Sequence, residues 1–257
     1  MPLAPPILLT SSVIAHDTGV ALTDTEERLR LTIECVGEWL QIDPQLQIVI
    51  CDGSGYDFSA PLRDRFPNAA IECLHFHNDI TAVQRYGRGH GEGEIVRHAL
   101  AHSHFIAQAR CFAKCSAKLW VSNFHACLAE WNGRLAFKGV FLDVFSPLRR
   151  TTLAYIDTRF YMASVEAYQR YLSDARLRID KEKGYGLEEC FRDTILAQGL
   201  NGLLLRTPPV IAGVGGGIGR HYRNSLKRVL KERLRNWLVQ RNKRHAPLFI
   251  RPQAAAD

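Results

Sequence analysis

The chain has 257 residues, of which 46% are hydrophobic and 23% charged, a globular composition that excludes a disordered chain and suits one sizeable core. The net charge of +7 is uneven: between Arg220 and His245 ten Lys and Arg face one acid, Glu232, a local balance of +9 that leaves −2 on the remainder. No apolar run approaches the roughly 18 residues of a membrane span.

The opening residues lack a basic n-region, so they do not read as a signal peptide. Seven cysteines are an odd number without paired spacing, which reads as buried thiols in a reducing compartment. Residues 6–14 read as a buried first strand ending in a polar loop at Thr10 and Ser11. Residues 25–40 repeat apolar side chains at Leu29, Ile33, Val36 and Leu40, a helical period, with Thr23, Asp24 or Thr25 as cap. Residues 47–51 form a second strand, followed by the turn Asp52-Gly53-Ser54-Gly55. A short helix over 58–65 and a third strand over 71–77 come next.

The stretch Tyr86-Gly87-Arg88-Gly89-His90-Gly91-Glu92-Gly93-Glu94 alternates glycine with charge. It is expected to be a loop opening a helix over 95–107. Free N–H groups at such a helix start suit an anion, so the loop reads either as one wall of a phosphate site or as a mobile surface loop. A strand over 109–120 ends in Lys114, Ser116 and Lys118. Then come a helix over 121–129, strands over 135–145 and 155–161, a helix over 164–172, another from 186 to about 199, a short strand over 203–205, and a second glycine-rich loop over 213–219.

Strands alternating with helices indicate an α/β fold with a mostly parallel central sheet flanked by helices. Ligands bind such sheets at the carboxyl ends of the strands, where Thr10, Ser11, Asp52 to Gly55 and Lys114 to Lys118 fall. There is no Walker lysine loop and no GxGxxG between a first strand and helix. The set Asp52-Gly53-Ser54-Gly55 lacks the first glycine of a serine-hydrolase elbow. His75, His77, His98, His102 and His104 have no carboxylate or cysteine completing a metal set.

In their order, ILLTSSV, ICDGSG, YGRGHGEGEI, Lys114-Cys115-Ser116-Ala117-Lys118, Asp157-Thr158-Arg159-Phe160, Leu187-Glu188-Glu189 and GVGGGIGRHY resemble the motifs of GT-A-type glycosyltransferases, particularly bacterial ones that build lipopolysaccharide and capsule. The resemblance implies a single GT-A-like domain over 1–222, a nucleotide-sugar donor, and a glycan or lipid-linked acceptor. It places donor contacts at Thr10, Ser11, Asp52, Ser54, Tyr86, Arg88, Glu92, Lys114, Ser116, Lys118, Arg159, Gly216 and His221. Asp52 reads either as a base or ribose ligand or as an Asx turn. Arg88, Lys114, Lys118 and His221 are phosphate candidates, each with a solvated surface cation as the alternative.

For the catalytic acids the candidates are Glu188, Glu189 and Asp157. Glu188 or Glu189 would be the general base, unless the pair only favours a helix dipole. Many GT-A enzymes hold a divalent metal on Asp-x-Asp; here Lys114 and Lys118 stand where that motif is sought, implying metal-independent chemistry, while Asp143 and Asp157 keep Mn2+ or Mg2+ open. Inversion and retention both stay open.

Residues 223–257 read as a basic amphipathic helix and tail. Leu226, Val229, Leu230, Leu234, Trp237 and Leu238 share one face opposite Lys and Arg. That suits peripheral contact with an anionic membrane through 223–245, at the inner face of the cytoplasmic membrane; the alternative is an apolar face packed on the core. Two other functions compete with glycosyl transfer. One is a sugar nucleotidyltransferase. The other is a nucleic-acid-binding protein, disfavoured because the tail carries few aromatics and the body is slightly acidic.

Overall fold

The computed structural model describes residues 4–217, 219–222 and 224–251. The chain runs β1 (Ile7–Ser11), α1 (Thr25–Ile42), β2 (Ile48–Asp52), α2 (Ser59–Arg65), β3 (Ile71–His75), α3 (Ile80–Tyr86), α4 (Arg88–His102) and α5 (His104–Ala109). It continues through β4 (Cys111–Ser116), β5 (Leu119–Val121), α6 (Phe124–Leu128), β6 (Leu135–Leu142), β7 (Thr152–Ser164), α7 (Val165–Tyr171) and α8 (Leu187–Ala197). It closes with β8 (Ile211–Gly215), β9 (Arg220–His221) and α9 (Leu226–Arg241).

The main sheet has the order β3-β2-β1-β4-β7-β6. The four strands from β3 to β4 are parallel, and β7 and β6 pair antiparallel beyond them. A second, antiparallel sheet has the order β5-β8-β9. This is the α/β architecture expected, with β1 and β2 buried at every position as parallel strands covered on both faces must be.

α1 starts where Asp24 caps it, its carboxylate accepting from the Glu27 N–H at 2.8 Å. Its buried side is Arg28, Leu31, Thr32, Cys35, Val36 and Trp39, rotated from the Leu29–Ile33–Val36–Leu40 stripe expected. The Trp39 indole donates to the Leu119 carbonyl at 3.1 Å and fixes that rotation.

The glycine-rich stretch is a helix, not the loop the glycines suggest. Gly87, at φ 88°, separates α3 from α4, and the alternating glycines form the first turns of α4. They are there because neighbours press on them: a Cβ on Gly93 would sit 2.7 Å from Arg176 Cβ. The helix expected over 95–107 is broken at Ser103, whose hydroxyl caps α5.

The expected strand over 109–120 is also two strands, because Lys118 adopts a left-handed backbone (φ 77°) that reverses the chain between β4 and β5. The second glycine-rich loop is a hairpin, β8 turning into β9. Residues 203–205 form no strand; Leu204 makes single bridges to Phe137 and Phe249.

α9 turns Val229 and Val239 towards the body, and Asn236 donates to the Leu205 carbonyl at 3.2 Å. Its Leu226, Leu230, Leu234 and Trp237 stay exposed. Four of the six residues of the apolar stripe are therefore not packed on the core. After α9, Leu248, Phe249 and Ile250 are buried again, and Ile250 N–H donates to Leu204.

Candidate functional site

β4 carries a lysine into the interior. Lys114 lies two residues after Phe112, on the same face of the strand, beneath α4. Its side chain is 0% exposed. The ammonium makes an ion pair with Glu92 of α4 at 2.7 Å, donates to the Thr158 carbonyl of β7 at 2.8 Å, and donates to the Ser116 hydroxyl at 3.1 Å. Three partners match the three protons of an ammonium, which is what a lysine needs to stay buried. Ser116 in turn donates to the other Glu92 oxygen at 3.4 Å.

Glu188, at the start of α8, joins the same cluster. It accepts from the Thr158 hydroxyl at 3.1 Å. Burial, and then the negative charge of Glu92 nearby, push its carboxyl above the usual range. A carboxyl pushed upward and fixed beside a buried ion pair is the kind of group that can exchange a proton near neutral pH.

Glu189 does something else. It accepts from the Gly186 N–H at 2.9 Å, the half of a capping box that a glycine N-cap allows at the start of α8. Asp157 is also occupied: burial opposes its charge, yet its paired hydrogen bonds from Arg159 outweigh this and hold the carboxyl low. Arg159 then stacks over the Tyr222 ring at 5.0 Å, beside a cavity lined by Lys138, Tyr155, Tyr222 and Arg228.

A second group of cations gathers at the rim of the sheet. Lys118 is 5% exposed, and among the described residues its ammonium has no hydrogen-bond or ion-pair partner. Burial, and then the Arg28 charge, drop it to about 7. Gly216 lies against it: a Cβ there would be 3.1 Å from Lys118 Cε and 3.8 Å from Arg28 Nη1. A Cβ on the next residue, Gly217, would fall inside the Arg88 guanidinium. Arg88 stands one helical turn before Glu92 on α4, so the two glycine-rich segments, Lys118 and the Lys114 cluster adjoin one another. Thr10 and Ser11, at the end of β1, hold buried hydroxyl oxygens without partners, and Thr10 is in register with Ser116.

Other expected contacts have structural duties. Asp52 is 0% exposed and accepts from the Val13 N–H at 2.9 Å, the Ser54 N–H at 2.7 Å, the Ser54 hydroxyl at 2.6 Å and the Tyr56 N–H at 3.2 Å. This is the Asx turn, with Ser54 pinned inside it. The Arg88 N–H at the α4 start donates to Asp17, which pairs with Lys181 at 2.7 Å. Tyr86 packs against His90 at 5.3 Å. His221 is exposed on β9, near Glu27.

Arg28 and Thr158 were not singled out from the sequence. Arg28 donates to the Ser12, Val13 and Leu22 carbonyls and so shapes the loop after β1. Its signal was present: an arginine three residues before Leu31 and seven before Cys35, on the buried stripe of α1. Thr158 had no signal beyond its place between Asp157 and Arg159.

For a divalent cation the acids are poorly placed. Asp157 is tied to Arg159, and Asp143 pairs with Arg149 at 3.9 Å on the β6–β7 turn. Among the described residues, no group of three or more His, Cys, Asp or Glu is arranged to hold a metal. The described cysteines are free. No described helix is long and apolar enough to cross a membrane.

No protein-family model matches the chain, and no curated protein matches it. Among solved structures, it is similar to a protein of Desulfovibrio desulfuricans G20 designated a nucleotide-diphospho-sugar transferase, with 11% identity over 78% of this chain and 79% of that one, at a TM-score of 0.46. A glycosyltransferase involved in glycosylation of the major capsid of PBCV-1 gives 10% identity over 78% and 81%, at 0.43. A 4-diphosphocytidyl-2C-methyl-D-erythritol synthase gives 12% over 91% and 98%, at 0.41. Each score is below 0.5.

Proposed function

We propose that the chain is a nucleotide-sugar-dependent glycosyltransferase. The observation that supports this most is the meeting of Arg88 with Gly217 and of Lys118 and Arg28 with Gly216, beside the Glu92–Lys114–Glu188 cluster. A pair of phosphates needs concentrated positive charge and close backbone approach. A mostly buried lysine beside bare glycines offers both.

In the direct-displacement form of the reaction, an acceptor hydroxyl attacks the anomeric carbon as its bond to the diphosphate oxygen breaks. The hydroxyl proton passes to Glu188, whose carboxyl is held by Thr158. The bonding electrons leave with the diphosphate, whose new charge Lys118 and Arg88 offset without a metal. Lys114 holds Glu92 and the Thr158 carbonyl in place. In a retaining reaction Glu188 would instead stabilise positive charge on the sugar. The acceptor we infer is a glycan or lipid-linked saccharide of the lipopolysaccharide or capsule kind, met at the inner face of the cytoplasmic membrane, with α9 lying on the bilayer.

A thermal-shift screen with UDP-, GDP-, CMP- and dTDP-sugars, each with and without Mn2+, tests the proposal. One nucleotide sugar should raise the melting midpoint, equally with and without Mn2+, and Lys118→Met should cancel the rise. No response to any of them would overturn it. Release of pyrophosphate from a nucleoside triphosphate and a sugar phosphate would instead establish nucleotidyl transfer.

A further inference from the structure

α9 leaves four large apolar side chains in water at helical spacing: Leu226 is 82% exposed, Leu230 62%, Leu234 50% and Trp237 46%. A second exposed apolar group lies on the β6–β7 turn, where Leu148 is 93% exposed and Leu142 and Phe145 about half. The two groups adjoin. The Phe145 ring packs under Lys231 Nζ at 6.0 Å and Arg235 Cζ at 5.7 Å, both on α9. Arg241 covers Trp237 at 3.8 Å, the arrangement of an aromatic residue that sits among headgroups with a cation above it.

We propose that the β6–β7 turn and α9 form one docking platform for an anionic bilayer, with Leu148 entering the leaflet beside the α9 stripe. The proposal rests on the membrane contact inferred above and deepens it, adding a second inserting element. Charge selects the occupant. Arg149 and Arg150 follow Leu148, and Lys227, Lys231 and Arg233 alternate with the α9 leucines, all five cations exposed. The acids nearby are already engaged, Asp143 by Arg149 and Glu232 by Arg235 and Lys138. A second copy of this chain would bring cation against cation, whereas anionic lipid headgroups would neutralise the rim as the leucines leave water. The platform also borders the cavity holding Arg228 and Arg233, so a ligand in the leaflet would have that cavity beside it.

Sedimentation with vesicles of phosphatidylcholine alone, or mixed with phosphatidylserine, tests this on the full chain. The protein should bind the mixed vesicles and not the neutral ones. Leu148→Glu should weaken binding by about tenfold or more, the loss expected when a buried leucine becomes a carboxylate near anionic lipid, without moving the thermal midpoint. Leu230→Glu should weaken it comparably. If L148E binds as the parent does while L230E fails, the turn does not insert, the platform is wrong, and membrane contact through α9 stands. If both bind as the parent does, or the parent ignores both vesicles, the membrane reading falls as well. Equal binding to neutral vesicles, or dimerisation blocked by either variant, would overturn the choice of occupant.

Discussion

The ammonium of Lys114 lies 2.7 Å from a Glu92 carboxylate oxygen, with the lysine wholly buried between α4 and β7. An ion pair in that position gains its worth from company: Thr158 and Ser116 take the remaining protons. Replacing only one partner leaves a charge in a dry place.

Lys114→Met should therefore destabilise the fold by about 3 kcal/mol, the lower end for a broken buried pair because Glu92 keeps some contact with water. Lys114→Met with Glu92→Leu should recover part of the loss. Urea unfolding of the two single variants and the double gives the coupling directly.

The two glutamates that open α8 should part company. Glu188→Gln should lower turnover by about 100-fold or more, the range for losing a general base, while donor binding survives. Glu189→Gln, whose amide oxygen can still accept from the Gly186 N–H, should change stability little and leave most turnover. Turnover lost in E189Q and kept in E188Q would reverse the assignment. In the parent, activity should rise with pH through a midpoint above that of an ordinary glutamate, because burial and Glu92 raise Glu188. E188Q should lose that limb.

Lys118 sets a different pH dependence. At about 7 in the folded state it lies below the 10.5 of an ordinary lysine, so between these values the folded protein has shed a proton that the unfolded chain keeps. Stability from this group accordingly rises with pH from about 7 to 10.5 and is at its least below 7. A diphosphate reverses the preference, since it favours the charged amine. Donor affinity should then fall as pH rises above about 7, with proton uptake on binding visible by calorimetry in buffers of different ionisation enthalpy. Lys118→Met should bind weakly without that uptake.

Gly217→Ala tests the approach of Arg88. The added methyl must displace the guanidinium, a flexible group, so stability should change little while donor affinity drops about as far as in Arg88→Ala. Gly93→Ala behaves differently, because its methyl meets Arg176 Cβ at 2.7 Å. It should cost about 1–3 kcal/mol, as overpacking does. Chemical unfolding and nucleotide titration separate the two cases.

The sequence by itself determined the α/β order, because buried parallel strands such as 48–50 are written as unbroken apolar runs and α1 carries its own cap and period. It also put Lys114, Ser116 and Glu188 among the candidates. Tertiary structure decided the rest. Gly89, Gly91 and Gly93 look like a loop until Val83, Arg176 and Leu187 press on them, and then lack of a side chain is what lets a helix fit. The backbone reversal at Lys118, the meeting of Arg88 with Gly217, and the division of work between Glu188 and Glu189 all depend on residues distant in the chain. Local propensity carries no information about those neighbours. Only packing could choose which charges would be buried together and which apolar faces, α9's above all, would be left in water.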